Sequence, residues 1–444
     1  MHPYSGIPEI AAATHARGVV RIPVEQDIPF TDRVRAVVDT AEFQRLRQIT
    51  QLALTSQVYP GATHNRFEHA LGVYHNALRY LWQLGHDDRF SNVVSSHDAE
   101  VLIVAALLHD IGHWPFCHPI EDLALAEMPP HEAFAAEFLG PDNQLTEVLQ
   151  EQWNVQPAEV VEVLTGVSDD SSLRLRQSIL SGPIDIDKMD YLNRDSHHCG
   201  VPYGRNFDRQ RLISSLVVND AGDGLAISSK GRTAAEMMVF ARYVMFSEVY
   251  WHHAVRSATT MFARAFYEVH RSLDLKSVFR LTEPEMIRQL CEATAGTAAQ
   301  QLTDGLFQSH RRLHKRLAEY GLFQQPDLYR LLRQMPYDSL VACSNQLAER
   351  LAEHSGLKLS PVDVLIDAPP VHREVEFKVD IFYPSENVYR PLKTVSPIVD
   401  AMSKTSFDDS VKRVRICVAG DVRSQMPDRR TVDELVHATV QEIS

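Results

Sequence analysis

The chain has 444 residues, of which 44% are hydrophobic, and its formal net charge is −14. This acidic balance argues against a general binder of duplex DNA, because the dense phosphate charge of DNA requires basic surfaces. The five cysteines are scattered, with no CxxC pair and no disulfide framework. The longest apolar run, 101–108, is too short to span a bilayer. We therefore expect a cytoplasmic protein with neither a membrane nor duplex DNA as a partner.

The first 355 residues are predicted to be mainly helical. Residues 1–30 are expected to form an arm or a short extended segment. From about residue 31, apolar residues recur at three- and four-residue spacing, which is typical of helices. Further helices are predicted over 65–84, 97–110, 123–138, 145–150, 158–164 and 183–197, with long helical segments over 232–275 and 283–354. Within this part, residues 212–229 place a Gly- and Asp-rich turn between two β-prone runs, which predicts a hairpin.

The composition changes near Leu357. The segments 362–366, 374–383, 389–392 and 411–418 are rich in β-branched and aromatic residues, which favours strands. We therefore predict a mainly α fold, with a helical domain over 31–355 and a small α/β lobe over 356–444.

Four residues that are far apart in the sequence have the chemistry of a metal site: His69, His109, Asp110 and Asp187. His109 and Asp110 close a strongly apolar helix, where a buried ionised carboxylate is costly unless it is paired. Two imidazoles and two carboxylates suit one divalent ion of Fe, Mn, Zn, Ni or Mg and leave positions for water and phosphate. The alternative is purely structural, with each Asp capping a helix or pairing with an arginine.

The order His…His-Asp…Asp is the signature of the HD phosphohydrolase superfamily. Longer strings resemble its deoxynucleoside triphosphate triphosphohydrolase branch: FQRLR at 43–47, PGATHNRFEHALG at 60–72, LHDIGHWPFCH at 108–118, DIDKMDY at 185–191 and RDSHH at 194–198. The resemblance runs from about residue 18 to 420. It implies an HD-domain helical bundle that hydrolyses a deoxynucleoside triphosphate (dNTP) to deoxynucleoside and tripolyphosphate, with additional Mg carried by the triphosphate.

The resemblance also implies roles for individual residues. Positions that contact phosphate match Arg66, His113, His118, Lys188 and Arg242. The catalytic histidine and its adjacent carboxylate match His131 and Glu132, and a second pair matches His118 and Glu121, where the family has Asp. Positions at the base and sugar match Gln51 and Leu52, and those around the deoxyribose match Tyr191, Asp195 and Tyr250. An aromatic wall under C2′ would exclude a ribose, although a histidine of the family's sugar and base site is Phe246 here.

Regulation is implied by the same resemblance. Relatives form oligomers and are activated by a guanine nucleotide bound between subunits, so a dimer or tetramer is expected. The guanine-reading positions match Asp39, Gln44 and Arg47, and basic groups of the C-terminal lobe match Arg390 and Lys393. A basic N-terminal position of that site is Gly18 here. A second nucleotide site has His252 and His253 at two basic positions and keeps Arg211 and Lys230.

Two other functions stay open. An HD phosphatase or phosphodiesterase could act on a nucleotide monophosphate, a cyclic dinucleotide or single-stranded nucleic acid, but Lys188 and Arg242 provide more cations than a monophosphate needs. A non-catalytic nucleotide sensor on the same fold is opposed by the complete metal set and by His131. Purely structural roles also stay open for these residues. His131 could start a helix, and the residues matched to the base and sugar could belong to the packed core. Residues 39–47 could form a helix with no role in nucleotide binding.

Overall fold

Helices make up most of the described chain. The computed structural model describes residues 2–13, 18–126, 128, 130–370, 378–404 and 411–443. Its α-helices of five or more residues are Pro8–Ala13, Asp32–Val38, Arg66–Leu84, Ser96–Leu108, Cys117–Glu121, Gln144–Val148, Pro157–Thr165, Ser171–Ser181, Ile186–His198, Arg209–Ile213, Arg232–Met245, His253–Val269, Glu283–Thr294, Gln300–Phe307, Pro326–Gln334, Tyr337–Ser355, Pro397–Lys404 and Arg429–Ile443. The predicted mainly α fold is confirmed.

Three helices form the centre of the fold. We call Arg66–Leu84 the first core helix, Ser96–Leu108 the second and Ile186–His198 the third. The first packs against both others. Every residue from Val101 to Leu108 is fully buried, because this part of the second core helix is apolar on all sides and is covered by neighbouring helices. The polar pair His109 and Asp110 follows its last turn, so these side chains start from the interior of the protein.

Side-chain caps set the starts of the three core helices. The caps are Asn65, Ser95 and Asp185. In each case a side-chain oxygen accepts a hydrogen bond from the backbone N–H three residues later, which satisfies a donor that the helix leaves unpaired. The caps orient the first turns of the first and third core helices, which carry site residues.

The strands form three small sheets. Val19–Ile22 and Glu25–Pro29 make an antiparallel pair within the predicted N-terminal arm. The hairpin predicted over 212–229 is present as Leu216–Val218 and Leu225–Ser228. Its second strand pairs in parallel with Asp380–Tyr383, which in turn pairs with Val388–Pro391. Two C-terminal strands thus complete a sheet that begins in the helical part.

A second hydrophobic core lies around the third sheet. Its strands are Lys315–Tyr320, Val414–Val418 and Val364–Asp367, with Val414–Val418 in the middle. The helices Tyr337–Ser355 and Arg429–Ile443 contribute buried residues to the same core. Residues 315–351 therefore share a core with the C-terminal segments, although their sequence predicted that they belong to the larger domain. The boundary at 355–356 stays a prediction.

Two helix predictions are wrong. The long helical segment expected over 283–354 is interrupted by the strand Lys315–Tyr320, whose backbone bonds are made to Val414–Val418 rather than within a helix. The helix expected over 123–138 is reduced to a single α-helical turn, His131–Phe134, and a 3₁₀ turn that follows it, with residues 127 and 129 outside the described ones. Pro130 precedes that turn, and proline disfavours a helical conformation in the residue before it.

The N-terminal segment packs onto the protein rather than extending from it. Tyr4, Ile7, Ile10 and Ile28 are buried in the main core, and the Tyr4 hydroxyl donates to the backbone oxygen of Val94. Within the described residues, none of the helices combines the length and apolar composition that crossing a membrane requires.

Candidate active site

Two histidines and an aspartate meet where the three core helices converge. His69 lies near the start of the first core helix, His109 directly follows the second, and Asp187 lies in the first turn of the third. The Nε2 atoms of His69 and His109 are 3.1 Å apart. Asp187 Oδ1 lies 3.0 Å from the first of these nitrogens and 4.0 Å from the second. These three ligand atoms are close enough to share one metal ion.

Asp110, the fourth predicted ligand, lies beside this group. Its Oδ1 is 3.4 Å from Nε2 of His109, and its Oδ2 is 3.8 Å from Nε2 of His69. Oδ2 also accepts a hydrogen bond of 2.8 Å from Arg66. Burial would raise the pKa of Asp110, but the charges of Arg66 and the nearby histidines hold it well below its usual range. We refer to His69, His109, Asp110 and Asp187 as the metal cluster.

Each of the two imidazoles makes a hydrogen bond through Nδ1, the nitrogen that faces away from the metal cluster. These bonds leave Nε2 free to bind a cation. Nδ1 of His69 lies 2.8 Å from Asp190 Oδ2, and Nδ1 of His109 lies 3.0 Å from the backbone oxygen of Ala106. A carboxylate and a carbonyl only accept hydrogen bonds, so both rings carry a proton on Nδ1 and present Nε2 to the cluster. The Nε2 and carboxylate oxygen atoms that meet there are all electron donors, which a cation satisfies.

The charge of the metal cluster can be balanced by a proton or by a metal. Burial alone would lower the pKa of His69, but hydrogen bonds with Asp187 and Asp190 and the charge of Asp110 raise it to about 10. A metal at Nε2 displaces that proton, because metal binding requires a neutral imidazole. The His69 side chain is 1% exposed and that of Asp187 is 32% exposed, so the cluster opens to solvent on the side of Asp187.

Glu121 lies between the two histidines that were predicted to act in catalysis. Its Oε1 is 2.8 Å from Nδ1 of His131, and its Oε2 is 3.5 Å from Nδ1 of His118. Burial would raise the pKa of Glu121, but both histidines hold it well below its usual range. Glu132, the expected partner of His131, lies at the other ring nitrogen, 3.3 Å from Nε2, with a side chain that is 51% exposed. We call His118, Glu121 and His131 the histidine–glutamate group.

His113 connects this group to the metal cluster. Its Nδ1 lies 3.1 Å from Asp110 Oδ1, and its ring centroid is 3.9 Å from that of His131. Burial, together with the charge of Arg66, holds the pKa of His113 well below its usual range. A neutral imidazole thus lies between the two sets of residues, which form one continuous site.

Lys188 and Arg242, two predicted phosphate contacts, lie near the same site. Lys188 Nζ donates to Asp185 Oδ2 and, at 3.2 Å, to the backbone oxygen of Gly182. Burial would lower the pKa of Lys188, but the charge of Asp185 raises it, and Arg242 is close enough to oppose that effect. Burial raises the pKa of Tyr191, which the charges of Arg242 and Lys188 oppose. The two cations and the tyrosine therefore share one electrostatic environment.

Tyr250 and Asp195, which were predicted to lie around a deoxyribose, are bonded to each other. The tyrosine hydroxyl donates to Asp195 Oδ2 at 2.6 Å, while Oδ1 lies 2.8 Å from Nε2 of the buried His64. Tyr250 ends the π-helical turn Phe246–Tyr250, which continues the helix Arg232–Met245. Such turns are frequent at functional sites. With both oxygens of its carboxylate engaged, Asp195 orients the ring of Tyr250.

Gln51 and Leu52 adjoin this pair through the backbone. The Gln51 N–H donates to the His64 carbonyl at 2.9 Å, which places the segment next to the partner of Asp195. The Oε1 atom of Gln51 is buried and has no hydrogen-bond partner among the described residues. A buried acceptor of this kind is a candidate contact for a bound ligand.

Comparisons with known proteins agree with this geometry. The HD domain family matches residues 66–195, and the family described as the HD associated region matches residues 207–425. An uncharacterized protein of Methanocaldococcus jannaschii is 30% identical over 393 residues, which are 88% of this chain and 77% of that protein. The chain belongs to the HD-domain phosphohydrolase family.

Other relatives in the HD-domain family include enzymes. The deoxynucleoside triphosphate triphosphohydrolase SAMHD1 of Homo sapiens is 29% identical over 287 residues, or 58% of this chain. The chain spans only 45% of the length of that enzyme. Among solved structures, a hypothetical protein from Aquifex aeolicus has a similar fold, with a TM-score of 0.66 at 26% identity and coverage of 89% of this chain and 95% of the other.

The HD domain and the HD-associated region divide the site between them. The metal cluster, the histidine–glutamate group and Lys188 all lie within residues 66–195. Arg242 and Tyr250 lie within residues 207–425. The HD-associated region therefore supplies one cation and one aromatic side chain to the site, whereas Gln51, Leu52 and His64 precede both matched regions.

The predicted regulatory residues lie at the surface of the HD-domain protein. Asp39, Arg47 and Lys393 are exposed, and Gln44 and Arg390 are partly exposed. The Gln44 amide donates to the backbone oxygen of Val38 at 2.6 Å, and Arg390 pairs with Glu386 at 2.5 Å. Their role in binding a guanine nucleotide between subunits stays a prediction.

Three polar residues of the site were missed by sequence reasoning: His64, Asp185 and Asp190. Asp185 and Asp190 lie in the same string as Asp187, and a helical spacing of three residues places Asp190 on the face of Asp187. That spacing could have identified Asp190. No local signal separates His64 from the other histidines of the chain.

Proposed function

We propose that this HD-domain protein hydrolyses dNTPs to deoxynucleoside and inorganic tripolyphosphate in a metal-dependent reaction. The observation that carries the proposal is that the metal cluster, the histidine–glutamate group and three cationic side chains lie in one site. Hydrolysis at the α-phosphorus needs an activated nucleophile, neutralisation of phosphate charge and a proton for the leaving oxygen. The similarity to SAMHD1 enzymes supports the substrate class.

The metal cluster would hold one divalent ion through the Nε2 atoms of His69 and His109 and the carboxylates of Asp110 and Asp187. Such an ion supplies Lewis acidity toward a phosphoryl oxygen and favours attack by water. Arg66, which pairs with Asp110, is close enough to neutralise phosphate charge beside the cluster. Lys188 and Arg242 add two positive charges for the remaining phosphates.

His131 would give the proton to the leaving 5′-oxygen. Glu121 accepts a hydrogen bond from Nδ1 of His131 and so orients the ring. The proton on Nε2 is then the one available for transfer, and that nitrogen points away from Glu121. Asp195 orients Tyr250 at the position proposed for the deoxyribose. The ring of Tyr250 would exclude a 2′-hydroxyl by steric contact.

Product analysis tests the proposal. The Mn²⁺-loaded chain is incubated with each of the four dNTPs, and the products are separated by ion exchange. We expect deoxynucleoside and tripolyphosphate from at least one dNTP, and no turnover of the matching ribonucleotide. Orthophosphate or pyrophosphate as the first product would contradict the reaction. Binding of dNTP without turnover would instead favour a nucleotide sensor.

The same assay distinguishes the other candidates. Parallel reactions contain a nucleotide monophosphate, a cyclic dinucleotide or a single-stranded oligonucleotide, and turnover of these in place of dNTPs would favour a phosphatase or phosphodiesterase. A further reaction contains dNTP with added GTP. Faster hydrolysis in that reaction is the expected sign of the proposed guanine-nucleotide activation.

The variant Glu121→Gln is expected to slow hydrolysis by about 10²-fold, the low end of the contribution of a positioned acid or base. The amide keeps the shape of the side chain but removes the negative charge that His118 and His131 share. The matched control is Glu132→Gln, since Glu132 is more exposed and 3.3 Å from His131. Initial rates at saturating substrate measure both effects. A larger loss in Glu132→Gln would show that the adjacent residue, and not Glu121, supports His131.

A further inference from the structure

Asp190 contacts His69 on the side that faces away from the metal cluster. Its Oδ2 lies 2.8 Å from Nδ1 of His69, and the two side chains are 0% and 1% exposed. Asp190 follows Asp187 by three residues on the third core helix, so both carboxylates approach His69 from one helix face. One carboxylate lies at Nδ1 and the other at Nε2, 3.0 Å away. The imidazole is thus held at both nitrogens.

Arg194 holds the Asp190 carboxylate in place. Its Nε donates to Asp190 Oδ2 at 2.8 Å and its Nη2 to Oδ1 at 2.7 Å, which is the two-pronged geometry that a guanidinium makes with a carboxylate. With Arg194 donating to both of its oxygens, Asp190 is placed to accept the Nδ1 proton of His69.

Gly72 provides the space for this contact. A Cβ atom at this position would overlap Asp190 Oδ1 and lie 2.5 Å from Nη2 of Arg194. Gly72 follows His69 by three residues on the first core helix. A glycine inside a helix costs about 0.5–1 kcal/mol relative to alanine. Its presence is explained here by the close approach of the Asp190–Arg194 pair to the helix that carries His69.

We infer that Asp190 is a positioning residue for the metal ion. By accepting the Nδ1 proton it keeps the lone pair of His69 on Nε2 and directs it toward His109 and Asp187. Partners of this kind orient a ligand and raise its basicity, and their loss typically weakens metal affinity 10- to 100-fold. The inference rests on the metal site within the proposed function but does not depend on the identity of the substrate.

Mn²⁺ affinity of the full chain tests the inference. Free Mn²⁺ is measured by electron paramagnetic resonance during a titration without nucleotide. We expect Asp190→Asn to raise the Kd for Mn²⁺ by about 10- to 100-fold. The matched control is Asp195→Asn, which changes a buried carboxylate on the same helix whose histidine partner, His64, is not a metal ligand. The control is expected to keep the wild-type Kd. Equal Kd values for Asp190→Asn and wild type, or equal losses in both variants, would overturn the inference.

A second measurement uses the wild-type chain and needs no variant to fold. Nuclear magnetic resonance of ¹⁵N-histidine protein loaded with Zn²⁺ is expected to show His69 protonated at Nδ1 and bound through Nε2. Binding through Nδ1 would overturn the inference. If wild type binds Mn²⁺ and Asp190→Asn binds it weakly, but no tripolyphosphate forms from any dNTP, the proposed function fails and the role of Asp190 stands.

Discussion

The variant His109→Ala is expected to lose bound metal and to hydrolyse its substrate about 10³-fold more slowly, because a catalytic metal supplies several kcal/mol and 1.36 kcal/mol corresponds to a tenfold rate change. Nε2 of His109 lies 3.1 Å from Nε2 of His69, and its Nδ1 is engaged by the Ala106 carbonyl. The Nε2 atom of His109 therefore faces the other ligands of the metal cluster. Metal content by elemental analysis and initial rates measure the two effects.

A histidine at the other end of the same helix provides the control. His97 lies in the first turn of the second core helix, and its side chain is 43% exposed and pairs with Glu159 at 2.8 Å. His97→Ala should keep both metal and activity, because His97 lies at the opposite end of this helix from the metal cluster. Full metal content in His109→Ala would contradict the assignment of His109 as a ligand.

The variant Arg194→Met is expected to destabilise the chain by roughly 3–5 kcal/mol, the cost of removing one partner from a buried ion pair. Arg194 and Asp190 are both 0% exposed, so the aspartate would stay buried with only His69 beside it. Methionine keeps much of the side-chain volume, so the effect reports mainly on charge. Urea unfolding, followed by circular dichroism, measures the difference in the free energy of unfolding.

An exposed pair with the same spacing is the reference for that experiment. Arg430 and Glu434 are also four residues apart on a helix, but their side chains are 89% and 66% exposed. Arg430→Met should change the free energy of unfolding by at most about 0.5 kcal/mol, as is usual for a solvated helical pair. A similar small change in Arg194→Met would show that the buried carboxylate finds another partner or takes up a proton.

The metal cluster was predictable in part because His109 and Asp110 break a local pattern. His109 and Asp110 follow the fully buried apolar run 101–108, and His69 and Asp187 lie near the starts of two other helices. A buried ionised carboxylate after such a run is costly without a partner, and the resemblance to the HD superfamily implied that His69 and Asp187 complete the set. The structure brings His69, His109 and Asp187 within reach of one ion, with Asp110 beside them.

The partners of these residues were less predictable. Sequence adjacency suggested Glu132 as the carboxylate for His131, whereas Glu121 lies at Nδ1 and is shared with His118. A chain neighbour is not always a spatial neighbour, because the turn that starts at His131 directs its ring toward the helix Cys117–Glu121. The roles of Asp190 and Gly72 depend in the same way on a contact between two helices that are more than a hundred residues apart.

The amino-acid sequence by itself determined the mainly α class, the core helices and the chemistry of the metal site, since these follow from periodicity, capping residues and the cost of buried charge. Only the tertiary structure decided where strands form in a helix-like sequence such as 315–320. It also decided which C-terminal strands complete the sheet of the 212–229 hairpin. A strand satisfies its backbone groups with a partner that is distant in sequence, so its own residues carry little information about that partner.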